Sequence, residues 1–408
     1  MYTIFFRKVS QICVTALILS VPAVFGQNLG TVNLPSTIAD AGVQIVDMVP
    51  VKPQQIGYCE GPVVKDGTLY FSEQNAGIIW KVTASGTVSK WMTMNPAYVN
   101  GLDIAPSGNL AICEKTRITE RDYDGNLIRV ITSGNNWGQG ANDLTFASNG
   151  DMFFTAFNQH FWFHSADSSV NHDYNFNQPQ NINFNGIEYI EEKGILYACQ
   201  WGQNKVLKYS VNENRDVNTN NPVTFAAIAG PDGITVDENY NVYIASNNFS
   251  TGGIYVYDSS GNQLGNILMR QDNNPGSNAS NCVFGGPENK TLYITGDNGA
   301  YKVQLKVAGR IRPGNTAILN KNLYRHSVSE ANRQDPEFII SRTGNQLQLS
   351  FSGKSNATGA IYMPSGKRLH SFSFSGSTPL LWQPPSKGIY VARVSCSNRT
   401  ISEVIGFD

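Results

Sequence analysis

The chain has 408 residues, 41% of them hydrophobic, enough for a sizeable core and two or three domains. Only 15% are charged and the net charge is −1, with no basic or acidic run. That balance argues against a nucleic-acid partner and against a charged tail. Abundant Gly (38), Phe (20) and Tyr (18) favour many short strands joined by tight turns.

In chain order, residues 1–26 read as a signal peptide. Arg7 and Lys8 precede an apolar run from Ile12 to Phe25, and Val24 and Gly26 suit the small-residue positions before a cut near Gln27. The run is short for a membrane span, a signal anchor being the alternative. No other stretch reads as a span. The mature chain is therefore expected to be soluble and exported, to the cell surface or medium, with the periplasm as the alternative. Cys13 leaves with this segment. The five remaining cysteines are widely spaced and form no C-x-x-C, so buried small hydrophobes are expected rather than a disulfide framework or a zinc site.

Six segments then repeat. They begin at Glu60 (EGPVVKDGTLYFSE), Asn100 (NGLDIAPSGNLAICE), Asn142 (NDLTFASNGDMFFTA), Asn185 (NGIEYIEEKGILYAC), Asp232 (DGITVDENYNVYIAS) and Asn281 (NCVFGGPENKTLYITG). Each has a polar residue, an apolar strand, a turn rich in Gly, Asn or Asp, and a second apolar strand. The starts lie 40, 42, 43, 47 and 49 residues apart. That spacing holds about four strands, one propeller blade. The spacing predicts a six-bladed β-propeller over residues 27–308, a β-sandwich with accidental repeats being the alternative.

The opening polar residue of each repeat precedes the innermost strand, so all six are predicted to ring one end of the channel. The ring holds two carboxylates, four amides and no Lys or Arg. Hard oxygen donors of this kind suit Ca²⁺, Mg²⁺ or Mn²⁺ better than a soft metal; the cofactor expected is a divalent metal, Ca²⁺ first, with Mg²⁺, Mn²⁺ or Zn²⁺ as alternatives. Taken one at a time, such residues also serve simply as turn caps.

These segments resemble the senescence-marker-protein/gluconolactonase family, which includes regucalcin. The resemblance is carried by Glu60-Gly61-Pro62, Asn142-Asp143, Asn185-Gly186-Ile187, Pro231-Asp232-Gly233 and Ser280-Asn281-Cys282-Val283-Phe284-Gly285-Gly286. It implies a divalent metal held by Glu60, Asn185 and Asp232, with Asp232 doubling as general base. It also implies that Asn142 lines the pocket, and that Asn100 and Glu114 (in Cys113-Glu114) contact substrate. The implied activity is hydrolysis of a sugar lactone, a carboxylic ester hydrolase reaction. A non-catalytic propeller binding a carbohydrate or a protein is the alternative.

The chain departs from the family where substrate is selected. An Arg two residues before the N-D of regucalcin-like members is Gly140 here, and the F-T-D-P of many lactonases is Phe154-Thr155-Ala156-Phe157. The next stretch, Asn158 to Asn177, reads as an inserted aromatic and polar loop. It carries His160 and His164 as loop residues rather than a zinc pair. Trp137, Trp162 and Trp201 are expected to pack between blades or to stack on a sugar. There is no G-x-S-x-G, P-loop or G-x-G-x-x-G.

After Val307 the pattern changes. Residues 309–335 read as a linker. Residues 336–408 read as a small β-sandwich resembling the C-terminal sorting domains of exported bacterial proteins, on Pro364-Ser365-Gly366-Lys367-Arg368-Leu369 and the strand from Lys387 to Val394. That resemblance implies a secretion-machinery partner. The ending Ile405-Gly406-Phe407-Asp408 lacks the basic finish of such domains.

Overall fold

The structure, a computed structural model, describes residues 29–49, 55–135, 137–176, 181–248, 251–269, 278–315 and the strand segments between 338 and 407. Residues 1–26, read as a signal peptide, and most of residues 309–335, read as a linker, lie outside the described residues. Among the described residues, no helix is long and apolar enough to cross a membrane.

Six antiparallel sheets follow one another in the order the repeats predict. Blade 1 is Cys59–Lys65, Thr68–Glu73, Ile78–Val82 and Val88–Thr93; blade 2 is Val99–Ile104, Leu110–Glu114, Arg117–Arg121 and Leu127–Ser133. Blade 3 is Leu144–Phe146, Met152–Ala156, His160–His164 and Asn171–Asn175; blade 4 is Phe184–Ile190, Ile195–Gln200, Lys205–Ser210 and Val223–Ala227. Blade 5 is Pro231–Val236, Val242–Ser246, Gly253–Tyr257 and Gln263–Met269; blade 6 begins Ala279–Gly285, Thr291–Gly296 and Gly299–Gln304.

Blade 6 takes its outer strand from the other end of the chain. Val46–Asp47 pairs antiparallel with Gly299–Gln304, through Val46 opposite Lys302 and Asp47 opposite Tyr301. Gly30–Asn33 adds a fifth strand to blade 5. The ring is thus closed by hydrogen bonds between chain regions some 255 residues apart in order. Closure of this kind leaves no blade without a neighbour.

The blades stack through buried side chains. Phe153, Phe161, Phe184, Tyr189 and Tyr209 form one cluster between blades 3 and 4. Trp137, Phe154 and Trp162 form another with residues of blade 2. Burial of each such side chain contributes about 1.5–3 kcal/mol, which one isolated sheet could not gain on both faces. Cys59, Cys113, Cys199 and Cys282 are all buried, as expected of small hydrophobes.

The stretch from Asn158 to Asn177, read as an inserted loop, instead contains the third and fourth strands of blade 3. The physical reason is the run His160-Phe161-Trp162-Phe163-His164, which buries Phe161, Trp162 and Phe163. The two histidines are strand residues, not loop residues. His160 Nδ1 lies 2.7 Å from Asp173 Oδ1 and His164 Nδ1 2.5 Å from Asn171 Oδ1, both on the outer strand of the same blade.

Residues 309–315, at the start of the region read as a linker, cross the base of the propeller. Gly309 bridges to Asp237 and its N–H donates to Asn289 O at 2.8 Å. Arg310 reaches Glu188 Oε1 (3.0 Å) and Glu192 Oε2 (3.2 Å) of blade 4. Arg312 pairs with Asp103 Oδ1 of blade 2 (3.2 Å) and with Glu188 Oε2.

Further along, Phe338–Thr343, Gln346–Phe351 and Leu380–Trp382 form a three-stranded antiparallel sheet. Arg368–Phe374, Ala357–Tyr362, Gly388–Cys396 and Arg399–Phe407 form a four-stranded one in that spatial order.

Candidate metal and substrate site

Why the ring residues converge follows from the local backbone. The innermost strand of most blades has a pairing irregularity where its ring residue sits: between Glu60 and Val63, Val99 and Leu102, Phe184 and Ile187, Pro231 and Ile234, and Ala279 and Asn281. A bulge re-aims side chains and often marks a site. A glycine after four of the ring positions (Gly61, Gly101, Gly186 and Gly233) lets the next blade come close. A Cβ on Gly186 would lie 2.2 Å from Asp232 O, so only glycine fits there. Hydroxyl side chains of the first and second strands stitch the ring. Ser72 Oγ donates to Asn100 O (2.8 Å), Thr155 Oγ1 to Asn185 O (2.6 Å) and Ser280 Oγ to Cys59 O (2.6 Å).

All six ring residues are buried at one end of the channel. Glu60 and Asp232, two of the three implied metal ligands, meet at one phenol. Tyr58 Oη lies 3.1 Å from Glu60 Oε1 and 3.0 Å from Asp232 Oδ2. Asn247 Nδ2 donates to Tyr58 Oη (2.7 Å) and to Asp232 Oδ2 (3.1 Å). Asn281 Nδ2 approaches Glu60 Oε2 at 3.4 Å, which also accepts from Gly61 N–H at 3.1 Å. Asn185, the third implied ligand, sits beside Asp232 and favours its charged form. Asn100 Nδ2 donates to Tyr98 Oη at 3.3 Å. Asn142 is tied to the ring through its backbone, its carbonyl accepting Gly101 N–H at 2.7 Å.

Below the ring, Asp143 joins blade 3 to blade 4. Its Oδ2 accepts Ile187 N–H (3.2 Å) and its Oδ1 accepts Leu144 N–H (2.9 Å). Glu114 is placed differently from the ring residues. Its carboxylate is taken by Thr119 Oγ1 (2.5 Å), Arg117 Nε (2.7 Å) and Arg121 (3.6 Å) of the next strand in its own blade.

The electrostatics are those of a site short of positive charge. Burial pushes Glu60 well above the usual carboxylate range, and the charge of Asp232 pushes it further. Burial also raises Asp232, to about 7, against hydrogen bonds from Asn247 and Tyr58 that favour its ionised form. Tyr58 is raised by burial and then by both carboxylates. Asp232 Oδ1 is buried and has no hydrogen-bond partner. A buried, unpartnered carboxylate oxygen in a ring of carboxylates and amides suits a hard divalent cation. Among the described residues, no cluster of three or more His, Cys, Asp or Glu could hold a metal. The residues here fit one only with Asn185 counted as a donor.

Gly140 explains where the family's Arg has gone. A Cβ there would lie 2.5 Å from Tyr98 Cε1, so the Tyr98 ring fills the place. Lys115 Nζ stands 5.3 Å from the centre of that ring. Trp137 and Trp162 are buried between blades, 6.3 Å apart. Trp201 differs from both, being 37% exposed, with Phe157 at 5.6 Å. Its backbone N–H donates to Asn183 O (3.1 Å), two residues before Asn185. A Cβ on Gly230, two residues before Asp232, would lie 3.3 Å from its indole nitrogen.

Sequence reasoning missed Tyr58, Asn247 and the structural part of Asp143. Tyr58 lies two residues before Glu60 and could have been flagged by strand alternation, which puts i and i+2 on one face. Asn247 had no such signal, because it reaches the ring from the end of a second strand.

Known proteins share the sequence pattern and fold of the propeller. Lactonase drp35 of Staphylococcus haemolyticus is 25% identical over 274 residues, covering 61% of this chain and 78% of that protein. Lactonase drp35 of Staphylococcus epidermidis is 26% identical over 227 residues, covering 50% of this chain and 67% of that protein. Among solved structures, a gluconolactonase of Xanthomonas campestris superposes with a TM-score of 0.56 at 21% identity, covering 68% of this chain and 96% of that one. A calcium-binding regucalcin of Agrobacterium tumefaciens superposes with a TM-score of 0.55 at 15% identity, covering 66% and 97%. Those two likenesses show the shared propeller fold. The model of the SMP-30/Gluconolactonase/LRE-like region matches residues 58–298, so the chain belongs to that family.

Proposed function

We propose that the propeller is a metal-dependent lactonase acting on a sugar lactone. The observation that carries this reading is the meeting of Glu60 and Asp232 at one end of the channel, with Asp232 Oδ1 buried and unpartnered. Glu60, Asn185 and Asp232 would hold the ion. A hard divalent cation, Ca²⁺ first, supplies Lewis-acid polarisation of an ester carbonyl when bound there. Asp232 accepts the proton of the attacking water, whose oxygen bonds to the carbonyl carbon. The ring C–O bond then breaks, and the departing oxygen takes a proton to give an open-chain hydroxy acid. Asn142 and Asn100 orient the lactone from the neighbouring blades. The lactonases among the relatives support this reading at the level of reaction class.

The test is acid release from a panel of sugar and aliphatic lactones in a pH-stat, with and without chelator. Chelator-sensitive turnover is the expected result. Asp232→Ala should abolish both turnover and metal binding. Metal binding without turnover on any lactone would move the reading to a carbohydrate-binding propeller, and an active, metal-free Asp232→Ala protein would sink it.

We also propose that residues 1–26 direct export and that the two C-terminal sheets form a β-sandwich that serves sorting. N-terminal sequencing of protein recovered from the culture medium tests the first. Retention in the cell after deletion of residues 336–408 tests the second.

A further inference from the structure

We propose that Tyr58 and Asn247 are positioning residues for the metal, turning one oxygen of Asp232 away from the ring centre and presenting the other to the ion. The inference rests on the metal-site reading above and concerns residues which that reading does not use.

The hydrogen-bond inventory leads to it. A phenol has one proton to give. Tyr58 Oη accepts from Asn247 Nδ2 at 2.7 Å, and its single proton is shared between Glu60 Oε1 at 3.1 Å and Asp232 Oδ2 at 3.0 Å. Asn247 Nδ2 also lies 3.1 Å from the same Oδ2. One oxygen of Asp232 therefore has two donors, while Oδ1 has none and is buried. A carboxylate left to itself exchanges its two oxygens by rotation, and fixing it has an entropic cost. Here the fixing is done before any ion arrives.

The clamp also spans blades that are not neighbours in the ring. Glu60 belongs to blade 1 and Asp232 to blade 5, with blade 6 between them. Tyr58 is held at the junction of blades 1 and 6 by its bridge to Asp297 and by Gln74 N–H on its carbonyl at 3.0 Å. Asn247 is held by its own N–H on Gly230 O at 2.8 Å. The phenol oxygen is thus the link that sets the separation of the two carboxylates. Groups that orient a metal ligand in this way are worth about 10–100-fold in affinity.

The experiment is calorimetric titration of Ca²⁺ into the whole chain, its Tyr58→Phe and Asn247→Ala variants, and the double variant. The wild type should bind one Ca²⁺. Tyr58→Phe and Asn247→Ala should each weaken binding about 10-fold or more. The double variant should be little weaker than the worse single one, because both residues act through the same Oδ2. The melting temperature in chelator should stay close to that of the wild type, which a merely structural role would not allow. If Tyr58→Phe does not fold, Asn247→Ala alone carries the test. Binding by the variants as tight as wild type, or tighter, overturns the proposal and makes the phenol a plug. A wild type that binds neither Ca²⁺ nor Mn²⁺ overturns the metal-site reading itself.

Discussion

Arg312 is the most informative residue to remove. Its guanidinium is buried at the channel base between Asp103 and Glu188, with Asp143 near enough to be felt. Arg312→Met leaves these acids without their main counter-charge, since Arg310 also holds Glu188 but lies farther from Asp103. Breaking a buried pair by removing one partner costs about 3–5 kcal/mol. For a domain of this size that is a fall in melting temperature of roughly 10 °C, at about 2–4 °C per kcal/mol. The loss should depend on pH. Asp103 is raised to about 6 and Asp143 to about 7, from 3.8, chiefly by burial, while Arg312 pulls both down. A carboxyl raised in the folded state binds its proton more tightly there, so it destabilises increasingly as pH rises through the folded value. Without Arg312 both acids rise further. The penalty should be full at pH 8 and smaller at pH 5, where Asp103 can take a proton. Thermal melts of both proteins at the two pH values, in chelator, measure this. Asp103→Asn with Glu188→Gln on the Arg312→Met background should recover most of the loss. An equal fall at pH 5 and pH 8, or no fall at all, would refute the argument.

Other outcomes follow from the mouth and the closure. Gly140→Arg should destabilise by about 2 kcal/mol or more, because its φ of +137° suits glycine and its Cβ meets the Tyr98 ring at 2.5 Å; Tyr98→Ala should relieve only the part due to the ring, as a thermal melt would show. Trp201→Ala should raise KM for a sugar lactone by up to about tenfold, the loss of one stacking contact worth about 0.5–1.5 kcal/mol, with kcat and Ca²⁺ affinity kept; an unchanged KM would leave the exposed indole without a substrate role. Deleting residues 29–47 removes the outer strand of blade 6, and should turn a single sharp thermal transition into a broad one at lower temperature.

Much of the architecture was legible because a propeller writes each blade once per repeat. The spacing of Glu60, Asn100, Asn142, Asn185, Asp232 and Asn281 determined the blade count. Read as preceding the innermost strands, five of the six instead lie within the first residues of those strands, and Asn142 alone precedes its own. Alternation did not reveal the outer strands of blade 3. Its third strand, His160–His164, puts polar ends on a buried aromatic centre, and its fourth, Asn171–Asn175, is mostly exposed. Such a strand reads as a loop until a partner supplies its hydrogen bonds.

What the sequence alone determined were the features set by local chemistry: strand alternation, tight turns, a glycine wherever the next blade crowds in, and the residue types of the ring. The tertiary structure alone decided the contacts between residues far apart in the chain. Val46–Asp47 had to meet Gly299–Gln304 to close the ring. Arg310 and Arg312 had to fold back on Glu188. Tyr58 and Asn247, 189 positions apart, had to share one proton-bearing oxygen. No local preference encodes such meetings. They follow from the closing of six twisted sheets about one axis, which brings every blade to the same few ångströms of channel.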